Sequence, residues 1–329
     1  DIPTAHCREL AARMLEYDWI GIPEKLAWTL KFHAKTDPPG IWHEKFMRSI
    51  AMALSRWAKE DLGAAWQWME AQIKAGSLSE ASKHSDYLNT AMGQGLAAIY
   101  LAAAKEKSDL LEEIAGAMTT SELSATLGLY LRSLPVDSPD VIGCLDRIAS
   151  LPSNRLRRVA LSNVAGWLGD VTAVEAAGQV TRLAAAWNAP DAVKAELVPL
   201  LGPVEGLKRA AYLRGVLESS DAALAAALAA KAGREGTAQE LATLMPIAVA
   251  RGCWREMVNA AKDKACVFPS STVEAGRFAQ LLPLVPDPRI RRELLEAWAS
   301  AASAKGITRE SLTKAGWKAD LLNILLPHP

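Results

Sequence analysis

One local pattern returns along this chain at an almost fixed interval, and it limits the fold more than any other feature. An apolar helix end meets a corner made of an apolar-Pro-apolar triplet or of Trp, and a short turn leads into a second helix. The clearest copies are Leu134-Pro135-Val136 ahead of Ser138-Pro139-Asp140, Trp167-Leu168-Gly169-Asp170, and Val198-Pro199-Leu200 ahead of Gly202-Pro203. Pro135, Trp167 and Pro199 are separated by two consecutive steps of 32 residues. One more step back reaches Ala103, close to where a helix ends at Ser108 and Asp109 opens the next. Related corners are Trp57-Ala58-Lys59-Glu60-Asp61, Met245-Pro246-Ile247 before Gly252, and Leu282-Pro283-Leu284 before Asp287-Pro288. The wider steps, 57 to 103 and 199 to 246, are expected to hold extra sequence: the polar segment Gly76 to His84, and an additional Ala-rich helix from about Asp221 to Ala232. A period in the low thirties with two helices per unit is the length of a helical hairpin repeat, in which each unit buries its apolar face by stacking on its neighbours.

The local signals agree with an all-α chain. Alanine and leucine are abundant, and no short run alternates apolar and polar residues between turn signals as a half-buried strand would. Ser138-Pro139, Ser219-Ser220-Asp221 and Thr308-Arg309-Glu310 read as helix starts. Pro199, Pro246 and Pro283 fall in last turns, where proline bends or ends a helix. Helices are expected over 9–19, 23–35, 43–58, 61–75, 86–105, 108–118, 121–134, 139–150, 155–168, 171–187, 190–201, 204–218, 221–232, 237–250, 253–263, 272–284, 288–304 and 308–325.

With these repeats on the page, a resemblance can be named. The stretch Trp57-Ala58-x-x-Asp61-x-x-Ala64-Ala65-x-x-Trp68 is similar to degenerate repeats found in bacterial proteins. Over nearly its whole length the chain resembles the α-solenoid group that includes tetratricopeptide and HEAT-like repeats. The likeness is one of architecture, and the tetratricopeptide spacing of Trp, Leu-Gly and Tyr is not reproduced. It implies a single α-solenoid domain over residues 1–329, a binding or scaffolding role, and no catalytic residues to carry over.

Helical periodicity assigns faces. On 43–58, Phe46, Ile50, Ala53 and Trp57 form the expected core stripe, flanked by Met47, Leu54 and Ala58, with Lys45, Arg48, Met52, Ser55, Arg56 and Lys59 opposite. On 61–75, Leu62, Trp66, Met69 and Ile73 form one apolar stripe and Ala64, Trp68, Ala71 and Ala75 a second, as expected of a helix packed on both sides. On 155–168, Leu156, Ala160, Val164 and Trp167 point inward, and Arg155, Arg158 and Ser162 outward. Arg289, Arg291 and Arg292 make a second basic spot. The plainer account of both spots is a solvated face offset by acids such as Asp146 and Glu293.

Few residues point to chemistry. Cys7, Cys144, Cys253 and Cys266 form no CxxC pair, and Cys144 and Cys253 occupy helical positions suited to small buried side chains. His33 and His43 flank the turn Thr36-Asp37-Pro38-Pro39-Gly40 and are the residues that would hold a metal if any did. Helix-end charge complementarity explains them more simply, and no cofactor is expected. His43-Glu44-Lys45-Phe46-Met47 lacks the second histidine of a zinc-protease helix. No nucleophile elbow, phosphate loop or dinucleotide fingerprint occurs. The glycines of Met92-Gly93-Gln94-Gly95 lie in a helical pattern, where close packing accounts for them. Six of the eleven tryptophans lie before residue 70, and Trp42, just after the Pro-Pro-Gly turn, is the candidate for an exposed ring.

These observations lead to a non-enzymatic, protein-binding scaffold, with a protein or peptide as partner and Trp42, Arg48, Met52, Arg155, Arg158, Arg289 and Arg292 as candidate contacts. The alternatives are a nucleic-acid-binding HEAT-like repeat protein and an enzyme with an unrecognised site. Thirty-seven basic and 37 acidic side chains weigh against nucleic acid, whose partners usually carry a basic excess. No apolar run is long enough to span a membrane. Residue 1 is Asp, so the chain is read as cytoplasmic or, if a signal peptide has been removed, periplasmic or secreted.

Overall fold

A computed structural model describes residues 21–33, 41–75, 91–162, 171–202, 206–265, 281–304 and 306–314, with Val164, Trp167, Leu168, Ala319, Leu322 and Asn323. Among these residues there are sixteen α-helices and no strand. They divide into two compact units, Asp1–Val164 and Ala165–Pro329.

The first unit contains α1 (Ile22–His33), α2 (Ile41–Glu60), α3 (Leu62–Ala75), α4 (Ala91–Glu106), α5 (Leu111–Ala117), α6 (Thr120–Ser133), α7 (Asp140–Ala149) and α8 (Asn154–Ser162). Helix α2 packs on α4, α4 on α6 and α6 on α8, while α3, α5 and α7 pack beside members of that row. The core stripe of α2 is Ile50, Leu54 and Ala58, all fully buried. Ala53 and Trp57, expected at its centre, are only half-buried. The stripe is therefore rotated toward its expected flank, because α4 lies on that side. Gly95 permits the approach: a Cβ there would stand 2.8 Å from Leu54 Cδ1 and 3.2 Å from Met69 Cε. On α3 the first stripe is buried through Leu62, Trp66 and Met69, with Ile73 half-buried, but Ala71 and Ala75 of the second are exposed. The expectation of two buried faces on α3 holds for one face only.

Sequence-local chemistry sets the ends of these helices. Thr119 and Glu122 close a capping box on α6, the hydroxyl accepting from the Glu122 N–H and the carboxylate from the Thr119 N–H. Helix α4 ends at Lys107, whose φ of 53° is left-handed, with Ser108 N–H donating to the Ala103 carbonyl at 3.0 Å. This is the Schellman arrangement, here built without glycine. Helix α8 stops at Ser162, earlier than expected, and Trp167 is half-buried in a turn.

The second unit contains α9 (Ala173–Ala186), α10 (Asp191–Leu201), α11 (Gly206–Ser219), α12 (Ala222–Glu235), α13 (Ala238–Ala250), α14 (Trp254–Ala265), the 3-10 turn Leu282–Leu284, α15 (Pro288–Ala304) and α16 (Arg309–Lys314). Two rows interleave: α9, α11 and α13 in one, α10, α12 and α14 in the other. Helices begin at 173, 206 and 238 in the first row, steps of 33 and 32, and at 191, 222 and 254 in the second, steps of 31 and 32. Helix α12 is therefore a regular member of its row, not the extra helix expected between Pro199 and Pro246. Those two prolines lie on α10 and α13, in opposite rows, so their corners are not equivalent.

Polar links repeat the same interval. Arg209 Nε donates to Glu240 Oε1 at 3.3 Å, the Arg251 guanidinium to the Ser220 carbonyl, and the Lys262 ammonium to Glu293, each pair 31 residues apart. In the first unit Ser124 Oγ donates to the Leu156 carbonyl at 2.6 Å, 32 residues on. Thr172–Glu175 and Thr237–Glu240 repeat the capping box. At the Pro199 corner the Tyr212 hydroxyl donates to the Val198 carbonyl at 2.7 Å. Gly202 makes room for that ring, since a Cβ there would meet Tyr212 Cε1 at 2.3 Å. Helix 9–19 and most of 272–284 and of 308–325 beyond Lys314 lie outside the described residues.

Candidate interaction surface

Burial decides which side chains remain for a partner. On α2, Met52 is 66% exposed because it lies across the helix from Ile50, Leu54 and Ala58. Trp57 of α2 and Trp68 of α3 meet with ring centroids 6.2 Å apart and planes tilted by 59°, both rings half-buried. Beside them Trp66 is buried and donates its indole N–H to Glu113 Oε1 at 3.0 Å, which joins α3 to α5. Arg56 pairs with Glu60 at 3.4 Å on the exposed side. Trp42 and Arg48 are in α2 by backbone, but their side chains lie outside the described residues.

The second candidate face belongs to α8. Ser153 starts the helix, its hydroxyl accepting from the Leu156 N–H at 3.3 Å and its carbonyl from the Arg157 N–H at 3.1 Å. Ala160 and Leu161 are buried. Arg157 turns back, Nε donating to the Leu151 carbonyl at 3.2 Å. Arg155 and Arg158 are exposed, as the periodicity predicts. With Asn154, Val159 and Ser162 they line an open concavity of about 560 Å³. Asn154 and Val159 were not singled out by sequence; an outward-pointing Val beside two arginines was the available signal.

Helix α15, in the other unit, carries Arg289 and Arg292, both exposed. Arg289 Nε lies 3.4 Å from Glu293 Oε1. A hydrogen bond from Lys262 and its charge, with Arg289 adding to both, hold the Glu293 carboxyl below the usual carboxylate range. Glu293 thus offsets this basic spot. Arg291 is half-buried, reaching the Pro286 carbonyl at 3.5 Å.

Nothing described assembles a reactive centre. His33 closes α1 and His43 lies in the first turn of α2, but both side chains are outside the described residues. Among the described residues no group of His, Cys, Asp and Glu is placed to hold a metal. Cys144 is buried, its thiol pushed up to about 12 by burial against the opposing charge of Arg147, and Cys253 is also raised by burial. Neither is a ready thiolate. Beside Cys144, the Tyr100 ring meets Tyr130 edge-on at 6.4 Å, and Arg147 reaches both the Tyr100 hydroxyl, at 3.5 Å, and Glu112. Burial pushes Tyr100 up to about 12. This cluster ties α4, α5, α6 and α7 together. No described helix is long and apolar enough to cross a membrane. No protein-family model, no curated protein and no solved structure matches this chain.

Proposed function

We propose that this chain is a non-enzymatic scaffold that holds a protein or peptide partner on a surface of stacked helical hairpins, the arrangement of an α-solenoid. The observation that carries the reading is the pair of interleaved rows in the second unit, with helices renewed every 31 to 33 residues and polar links 31 residues apart. Such stacking uses the inner flanks of each helix for neighbours and leaves a repeated outer flank for a ligand. The exposed apolar side chains Met52 and Val174, 66% and 71% exposed, and the half-buried Trp57–Trp68 pair are contact chemistry of the kind protein partners use. Fold-level analogy supplies the rest.

The test is affinity capture from a lysate of the source organism on the immobilised chain, with and without nuclease, followed by mass spectrometry and cross-link mapping. A protein recovered stoichiometrically in both conditions, cross-linked to helix surfaces, is the expected result. Recovery of nucleic acid alone, or of no macromolecule, refutes the scaffold.

A further inference from the structure

We draw no further inference here: the strongest candidate, the half-buried Trp57–Trp68 ring pair on the surface where α2 meets α3, is an apolar patch with nothing in the structure to show what covers it.

Discussion

The close approach of α12 to α14 at Gly233 gives a prediction in which the sign itself is informative. Replacing a glycine inside a helix by alanine ordinarily stabilises it by about 0.8–1 kcal/mol, through the unfolded chain's lost freedom and the better helix former. At Gly233 of α12 the added Cβ would lie 2.1 Å from the Met257 carbonyl oxygen and 2.9 Å from the Ala260 Cβ. A carbon and a carbonyl oxygen in contact stand about 3.3 Å apart, so α12 and α14 must separate or tilt by roughly an ångström. The obstacle is backbone, which cannot swing aside. Overpacking costs about 1–3 kcal/mol, and a gap of that size forfeits part of the dispersion contact along the crossing. Net of the propensity gain, Gly233→Ala should destabilise by about 1–2 kcal/mol. Gly143 of α7 is the control, since it is exposed and a Cβ there meets nothing within 4 Å. Gly143→Ala should stabilise by about 0.5–1 kcal/mol. Urea unfolding followed by far-ultraviolet circular dichroism should move the two midpoints in opposite directions with m unchanged. If Gly233→Ala also raises the midpoint, α12 and α14 are not in backbone contact and the row containing them is wrong.

Two more predictions follow from buried hydroxyls and thiols. Tyr212→Phe removes the donor to the Val198 carbonyl near the end of α10 and should cost about 1–2 kcal/mol in urea unfolding; no change would mean that carbonyl has another donor. Burial raises Tyr100 and Cys144 to about 12 and Tyr212 higher still, above ordinary values of 10.0 and 9.0. The folded state holds these protons more tightly, so their contribution is whole below about pH 9 and is lost as pH rises, by up to about 1.4 kcal/mol per pH unit for each group. Urea midpoints should therefore fall steadily on the alkaline side. Tyrosinate absorbance should show some of the five tyrosines ionising only on unfolding, and five normal titrations would defeat the argument.

Most helix positions were legible because apolar periodicity and turn residues are local signals. The Ala-rich stretch after Asp221 is helical where expected, and Asp221 caps it by accepting from the Leu224 N–H at 2.9 Å. Its rank in the fold was not legible. The Pro199 and Pro246 corners look alike in sequence, but a proline marks a bend without saying which row the helix joins. The capping boxes, Thr-x-x-Glu at 119, 172 and 237, were the better ruler. They fix helix starts, and the starts at 173 and 238 lie in the same row, two hairpins apart. Rotation was harder still. On α2 the choice between Ala53–Trp57 and Leu54–Ala58 depended on where α4 lies, and Gly95 sets that from a distant part of the chain.

Candidate contacts were legible as exposure and opaque as function, for a physical reason. Helical phase separates outward from inward, which is enough to place Met52, Arg155 and Arg158 in solvent. It does not say what a neighbouring helix brings to the same patch. Arg289 and Arg155 look equivalent in sequence, yet Arg289 shares Glu293 with Lys262 across 31 residues, an arrangement that belongs to the repeat's own polar ladder. Arg155 and Arg158 instead line a concavity on the exposed face of α8. In the second unit the interval that spaces the helices of each row also spaces these polar pairs, 31 residues apart. A charge that fits that ladder, such as Glu293, is accounted for by packing between helices 31 residues apart, and helical phase within one helix cannot show it.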